Sequence, residues 1–329
     1  MRIARITDQL LFKLLSSELE EGLTEVTYAT RMSYKEDNKN LLRFGKYNEV
    51  ISEFIELFSK NFTEEQTQAM LYRLKRLSLK EEECHLKVFS SIISLGTYQS
   101  ETNSIVLNIY DKALPVDMKD ILFHELLHMA STKTTQVGFI TGLEVPDIFG
   151  DALNEGYTEY LTEKYFKTKT HYTDSEDYNV FFAKGIENIV GKEFMEKCYF
   201  NANIGLLIKE LENYSTREDI LKMLFLMDRW NDTFSSSENI RRITEEISKM
   251  NARKLKQDLE SGVITQDEYD VEYAIKVLEY RKYHLWSEEA KVIKEDNSFI
   301  LSDRGRTSSL YERTTPQEKN PQFQKKYQE

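Results

Sequence analysis

Two of the chain's five histidines stand four residues apart in the stretch ILFHELLHMAS, which covers residues 121–131. They are His124 and His128, and Glu125 directly follows the first. On an α-helix, side chains at i and i+4 lie on one face about 6 Å apart, so two imidazoles can bind one metal ion. Glu125 lies about 100° further round the helix, where it can reach a water molecule without occupying the metal. The spacing predicts a zinc site with a general base; the alternative is an amphipathic helix containing two histidines.

A hydrolytic zinc site usually has three protein ligands and keeps a fourth position for water. The third ligand is not a nearby histidine, since Ser131 and Thr134 occupy the glycine and histidine positions of the pattern H-E-x-x-H-x-x-G-x-x-H. The stretch LNEGYTEY offers Glu155 and Glu159, again four residues apart on a predicted helix. In one interpretation Glu155 binds the metal and Glu159 accepts a hydrogen bond from a ligand histidine. In the other, the two glutamates are a solvated acid pair.

HELLH followed by NEGYTEY resembles the gluzincin branch of the zincin metallopeptidases, where a glutamate of an N-E-x-x-x-[D/E] helix joins H-E-x-x-H. The separation of 27 residues between His128 and Glu155 lies within the range of that branch. The resemblance covers about residues 95–166. It implies a twisted sheet, an active-site helix and a mostly helical C-terminal part. It also implies that NSIVLNIY, residues 103–110, is the edge strand along which an extended peptide lies; the alternative is an ordinary buried strand.

The resemblance further implies one zinc ion (Zn2+) per chain, held by His124, His128 and Glu155. Zinc in such a site lowers the pKa of its bound water and polarises the scissile carbonyl. Glu125 then takes the proton of the water and later gives it to the leaving amine. Glu159 is expected to orient one of the two histidines.

Enzymes of this family also use a tyrosine or histidine to stabilise the oxyanion. No tyrosine or histidine lies between the two halves of the motif, so this residue must come from elsewhere in the chain. Tyr178 is the preferred candidate and His171 the alternative, because both closely follow the second motif helix. The other interpretation of Tyr178 is a packing residue. Tyr157 and Tyr160, on the ligand helix itself, are expected to pack in the core.

Hydrophobic periodicity indicates the elements that must position these residues. Helical periodicity runs through 6–21 and 47–80, with Thr63 as a helix N-cap. Alternating β-branched residues then predict two or three strands before about residue 110, and Asp117 introduces the H-E-x-x-H helix. A hairpin or irregular loop and a second helix from about residue 151 follow. Gly156 inside that helix either lets the two motif helices approach closely or is simply tolerated.

Helical periodicity returns from about residue 177 to 300, including a hairpin in which Gly262 ends one helix and Thr265 caps the next. The predicted fold class is therefore α+β and mostly helical. A zincin-like catalytic core with a small twisted sheet and an active-site helix lies between N- and C-terminal helical regions. The predicted boundaries are 1–80, 81–200 and 201–302, followed by a disordered tail at 303–329.

Composition argues against several other classes. A net charge of -12 does not favour nucleic-acid binding, which needs clustered Lys and Arg. A mean hydropathy of -0.55 without a run of about 18 apolar residues predicts no membrane span. The two cysteines, Cys84 and Cys198, form no metal motif and are expected to be buried thiols. With no signal peptide recognised, a cytoplasmic location is expected, although signal-independent export stays open.

The sequence thus predicts a zinc metallopeptidase, a hydrolase that acts on a peptide or protein substrate. The alternative is a zincin-like sensing or protein-binding module with little or no activity, whose helical C-terminal half binds a protein partner. A complete H-E-x-x-H favours catalysis, because a binding module has no need of the general base Glu125. The sequence does not distinguish endopeptidase from exopeptidase action.

Overall fold

The computed structural model describes residues 44–84, 95–110, 117–140, 150–167, 174–229 and 236–278. It divides into two compact units. The first contains the described residues up to 140 together with 157–167 and 193–206, and the second contains 150–156, 174–192 and those from 207 onward. Several predicted features lie outside the described residues: the helix at 6–21, the tail at 303–329, and His85, His171 and His284.

The first unit begins with helices α1 (Asn48–Asn61) and α2 (Glu64–Leu74). The Thr63 hydroxyl accepts a hydrogen bond from the Gln66 N–H at 3.2 Å, and the Gln66 side chain accepts one from the Thr63 N–H at 2.9 Å. This reciprocal capping box satisfies two helix-terminal donors. It confirms Thr63 as the N-cap of α2.

Three strands form the sheet of this unit: β1 (Ser78–Cys84), β2 (Gly96–Gln99) and β3 (Ser104–Tyr110). Strand β3 lies between the others, parallel to β1 and antiparallel to β2. The expectation that residues 103–110 form an edge strand is therefore wrong. Their apolar side chains, including the fully buried Ile105 and Leu107, suit a central strand.

Strand β1 also corrects the sequence analysis, which extended helical periodicity to residue 80. Helix α2 ends at Leu74, and the chain SLKEEEC continues as an extended strand. The residues Glu81, Glu82 and Glu83 are exposed and have low strand propensity. Backbone pairing with β3 outweighs that propensity. This is a tertiary effect that local periodicity does not reveal.

Helix α3 (Met118–Ala130) contains the H-E-x-x-H stretch, and its residues 121–130 are all buried. The Asp117 side chain caps it by accepting the Lys119 N–H at 2.9 Å, as predicted. The helix packs against α2, β2 and β3. A short hairpin follows, formed by β4 (Thr132–Lys133) and β5 (Gln136–Val137). The sequence left a hairpin or an irregular loop open for this connection, and its residues 141–149 lie outside the described residues.

Helix α4 (Asp151–Leu161) begins where the sequence predicts and continues as a π-helical turn, Thr162–Phe166. Within this turn Phe166 stacks on Phe54 of α1, with ring centroids 4.9 Å apart, and lies 5.3 Å from Phe123 of α3. Offset and edge-to-face ring pairs of this kind add stability beyond area burial. The aromatic cluster therefore joins the end of α4 to the helix that contains the two histidines.

The chain continues as five helices: α5 (Asp174–Val190), α6 (Lys192–Phe200), α7 (Ile204–Leu211), α8 (Arg217–Arg229) and α9 (Ser236–Glu260). Residues 266–278 form a further helix, α10. Within the second unit, α9 packs along α5 and α8.

The predicted end of α9 before Gly262 and the predicted start of α10 after Thr265 are confirmed. Gly262 has a φ of +74° after the end of α9, a backbone conformation that favours glycine. The Thr265 hydroxyl accepts the Glu268 N–H at 3.3 Å, and the Glu268 carboxylate accepts the Thr265 N–H at 2.8 Å. A capping box therefore starts α10.

The observed class is mostly helical with a small sheet, as the sequence predicts. The zincin-like character of the core stays a prediction. None of the helices within the described ranges combines the length and the apolar sequence that crossing a bilayer requires.

Candidate metal centre

The two histidines of α3 direct the same ring nitrogen toward one point. Nε2 of His124 and Nε2 of His128 lie 3.0 Å apart, and the ring planes are inclined by 71°. Both side chains are buried. The i, i+4 spacing therefore brings the two imidazoles together, as expected on a helix.

Glu155 of α4 completes a group that could hold a metal ion. The ligand atoms of His124, His128 and Glu155 all lie within 4.8 Å of one another. Tetrahedral zinc with ligand bonds of about 2.0–2.1 Å places its ligand atoms about 3.3 Å apart. The nitrogen pair is already close to that separation, and the half-buried Glu155 has to move by only about an ångström or two. The donor set and its spacing therefore fit a divalent metal.

Glu159, one turn after Glu155, contacts the opposite side of the His124 ring. Its Oε2 lies 3.1 Å from His124 Nδ1, and both side chains are about 95% buried. A carboxylate here accepts the Nδ1 hydrogen and leaves the Nε2 lone pair for a metal. The alternative of a solvated acid pair does not fit Glu159.

Glu125 is buried and packs directly beneath strand β2. A Cβ atom at Gly96 would lie 2.9 Å from Glu125 Cγ, 3.0 Å from Glu125 Oε1 and 2.7 Å from Ile121 Cγ2. Real Cβ contacts are rarely this short, so a larger residue at position 96 would displace the Glu125 side chain. Gly96 thus makes room for the predicted general base, a role the sequence analysis did not identify.

Gly156 allows a close helix crossing, but its partner is not the other motif helix. A Cβ atom at this position would lie 2.3 Å from the backbone C and O of Asn179 in α5. Gly156 was expected to let α4 approach α3, but the helix that packs closely against it is α5. The glycine is required where α5 crosses α4, one residue after Glu155.

Asp228 of α8 caps the first turn of α4. Its carboxylate oxygens accept the backbone N–H groups of Gly150 at 2.7 Å and Ala152 at 2.9 Å. Burial raises the pKa of Asp228 from 3.8 to about 7 and outweighs the two hydrogen bonds, which lower it; nearby Asp151 also raises it. A residue far away in sequence therefore stabilises the helix that contains Glu155.

A pair of buried hydroxyl groups lies beside His128. Thr158 Oγ1 is 3.5 Å from His128 Nδ1 and 2.6 Å from the hydroxyl of Tyr199 in α6. Thr158 lies on the same helix face as Glu155 and Glu159, so helix periodicity could have predicted that it lies near the two histidines. No local signal identifies Tyr199, which lies about 40 residues further along the chain.

Tyr178, the preferred oxyanion candidate, is buried on α5 with its ring 6.3 Å from that of Phe182. Its catalytic role stays a prediction. Tyr157 packs in the core with Phe139 and Tyr199, as expected. The same expectation is wrong for Tyr160, which is only half-buried and accepts a hydrogen bond from Lys164. Cys198 is a buried thiol outside any disulfide, also as expected.

Comparison of the chain with protein-family models, with curated proteins and with solved structures found no match.

Proposed function

We propose that this protein is a zinc-dependent metallopeptidase of the gluzincin type. The observation that supports this most directly is the convergence of His124, His128 and Glu155, with the buried carboxylate Glu125 beside the first histidine. Two imidazoles and one carboxylate are a donor set typical of catalytic zinc, which keeps one further position for water. A helix with two structural histidines alone would require neither Glu155 nor Glu125.

Each side chain has a defined task in this proposal. His124 and His128 hold the ion through Nε2, and Glu155 supplies the third ligand atom. Zinc in such a site supplies Lewis acidity, which lowers the pKa of water and polarises a carbonyl group. Glu159 keeps the hydrogen of His124 on Nδ1, which fixes the tautomer that can bind a metal.

Glu125 is the general base and acid. Its carboxylate takes a proton from the attacking water and delivers it to the leaving amine, so that it ends the cycle unprotonated. Gly96 of β2, which has no side chain, leaves room for the Glu125 carboxylate. Tyr178 is proposed to donate a hydrogen bond to the developing oxyanion.

The substitution Glu125→Gln tests the proposal. It preserves the shape of the side chain and removes the base, so the protein should still bind about one zinc per chain while peptide hydrolysis falls by about 10²- to 10⁴-fold. The assay combines elemental mass spectrometry of untagged protein with a peptide-library cleavage screen. Glu196→Gln is the matched control, because Glu196 is also buried but accepts a hydrogen bond from Tyr165.

Two results would contradict the proposal. The wild-type chain could bind no zinc after dialysis against the metal, or the Glu125→Gln variant could retain full activity. If neither the wild type nor Glu125→Gln cleaved any peptide although both bound zinc, the result would instead support the second candidate, a binding or sensing module. One observation favours that candidate: Val271, Ile275 and Leu278, spaced at i, i+4 and i+7 on α10, are exposed. Such an apolar surface is suited to a protein partner.

A further inference from the structure

The two histidines of the metal centre differ in what contacts their second ring nitrogen. When Nε2 offers its lone pair to a metal, a neutral imidazole holds its hydrogen on Nδ1. For His124, that hydrogen points to the Glu159 carboxylate at 3.1 Å. For His128, the neighbouring acceptor is Thr158 Oγ1 at 3.5 Å, a neutral hydroxyl oxygen. These two contacts of the second ring nitrogens therefore differ in charge: a carboxylate lies beside His124 and a neutral hydroxyl beside His128.

The Thr158 hydroxyl is itself held by a second hydroxyl. Tyr199 Oη lies 2.6 Å from Thr158 Oγ1, and both residues are fully buried. The Tyr199 ring is fixed by edge-to-face packing against Tyr157, with centroids 5.2 Å apart, and by Phe139 at 5.5 Å. A phenylalanine would make the same ring contacts. The buried phenol oxygen is costly unless it makes a hydrogen bond, and Thr158 supplies one.

The hydrogens can be assigned consistently through this chain of groups. A hydroxyl has one hydrogen and two lone pairs, so Thr158 Oγ1 can accept from His128 Nδ1 and still bond to Tyr199. Thr158 can donate to the phenol oxygen, or accept from it and turn its own hydrogen elsewhere. In the first arrangement Tyr199 holds the Thr158 hydrogen, and in the second Tyr199 occupies one of the two Thr158 lone pairs. Each arrangement leaves a Thr158 lone pair that can accept from His128 Nδ1.

We propose that Thr158 and Tyr199 form a buried hydroxyl pair that positions His128 for metal binding, as Glu159 does for His124. Thr158 acts directly on Nδ1, and Tyr199 acts through Thr158. The proposal rests on the metal centre of the proposed function. Partners of this kind typically change metal affinity by about 10- to 100-fold when they are removed. A neutral hydroxyl should lie at the lower end of that range and a carboxylate at the upper end.

The test is the zinc dissociation constant, measured by competition with a chromophoric chelator. Thr158→Val keeps the side-chain volume and removes the hydroxyl, so we expect about 10-fold weaker binding. Tyr199→Phe should weaken binding less, and the double variant should bind no more weakly than Thr158→Val, because Tyr199 acts only through Thr158. Thr158→Ser restores the hydroxyl and should restore most of the affinity.

A second measurement distinguishes positioning from loss of stability. Nitrogen NMR of zinc-bound protein should detect the His128 Nδ1 hydrogen slowly exchanging in the wild type and more rapidly in Thr158→Val. Thr162→Val is the matched control, since Thr162 is equally buried one turn later and donates to the Thr158 carbonyl at 2.8 Å. Whatever its thermal stability, the control should keep the zinc affinity and the His128 signal of the wild type.

The failures of the two proposals can be told apart. Absence of zinc binding in the wild type would overturn both. If Glu159→Gln weakens zinc binding while Thr158→Val does not, the metal centre stands and the hydroxyl pair is refuted. An additive double variant would also overturn it, because Tyr199 would then act independently of Thr158. Equal losses in Thr162→Val and Thr158→Val would mean that helix stability alone was responsible.

Discussion

Replacing Gly156 by alanine should destabilise the protein, although alanine is the better helix former. The new Cβ atom would lie 2.3 Å from the backbone C and O of Asn179, whereas ordinary contact begins at about 3.4 Å. Helix α5 would therefore have to move about 1 Å away from α4. Backbone atoms in a packed helix cannot yield as the end of a side chain can.

Two opposing contributions set the size of this effect. Alanine in place of glycine favours the helix by about 1 kcal/mol. Overpacking of a filled interior costs about 1–3 kcal/mol, and a clash with two backbone atoms belongs at the upper end. The free energy of unfolding should therefore fall by about 2 kcal/mol. Because Glu155 directly precedes Gly156, the displacement should also weaken zinc binding.

Chemical denaturation of the metal-free protein measures the first effect, and chelator competition measures the second. Gly185→Ala is the matched comparison, because its Cβ would meet one side-chain methyl group, Ile247 Cγ2, at 2.7 Å rather than two backbone atoms at 2.3 Å. That variant should change the unfolding free energy by about 1 kcal/mol or less. If Gly156→Ala proved as stable as the wild type, the close crossing of α4 and α5 would not exist as described.

Two further predictions concern Asp228, which caps the helix that contains Glu155, and Gly96, which lies against Glu125. The pKa of Asp228 is raised to about 7, so between about pH 4 and pH 7 the folded chain holds a proton that the unfolded chain has released. The contribution of this group to stability is therefore largest below about pH 4 and is lost as the pH rises to about 7. Three pKa units correspond to at most about 4 kcal/mol. Between pH 4.5 and pH 7.5, the free energy of unfolding should decrease less for Asp228→Asn than for the wild type, as measured by chemical denaturation. Equal decreases in the two proteins would contradict this prediction. Gly96→Ala should displace Glu125 and lower kcat by about 10- to 100-fold with zinc still bound. Unchanged kcat in a fully zinc-loaded variant would show that the Glu125 side chain tolerates the contact.

Much of the local structure follows from short stretches of sequence. The caps at Thr63, Asp117 and Thr265 were predictable because each requires only residues within one helical turn. The juxtaposition of His124 and His128 was predictable for the same reason, since one helix geometry fixes i and i+4. The direction of Glu159 toward a histidine was also anticipated, although which histidine it contacts was not.

Tertiary structure decided the features whose partners are distant in the chain. Strand β1 forms from a sequence with helical character because β3 supplies its hydrogen bonds, and β3 is central because β2 pairs with its other side. The backbone of Asn179 fills the space that a side chain at position 156 would occupy, so only glycine fits there. Thr158 contacts Tyr199 only when α4 and α6 pack together. The sequence alone therefore determined the motif residues, most of the helical segments and the three caps at Thr63, Asp117 and Thr265, because short-range geometry specifies them. Packing over 20 to 80 residues of separation determined which groups meet around the metal centre, since burial and backbone pairing depend on the whole core.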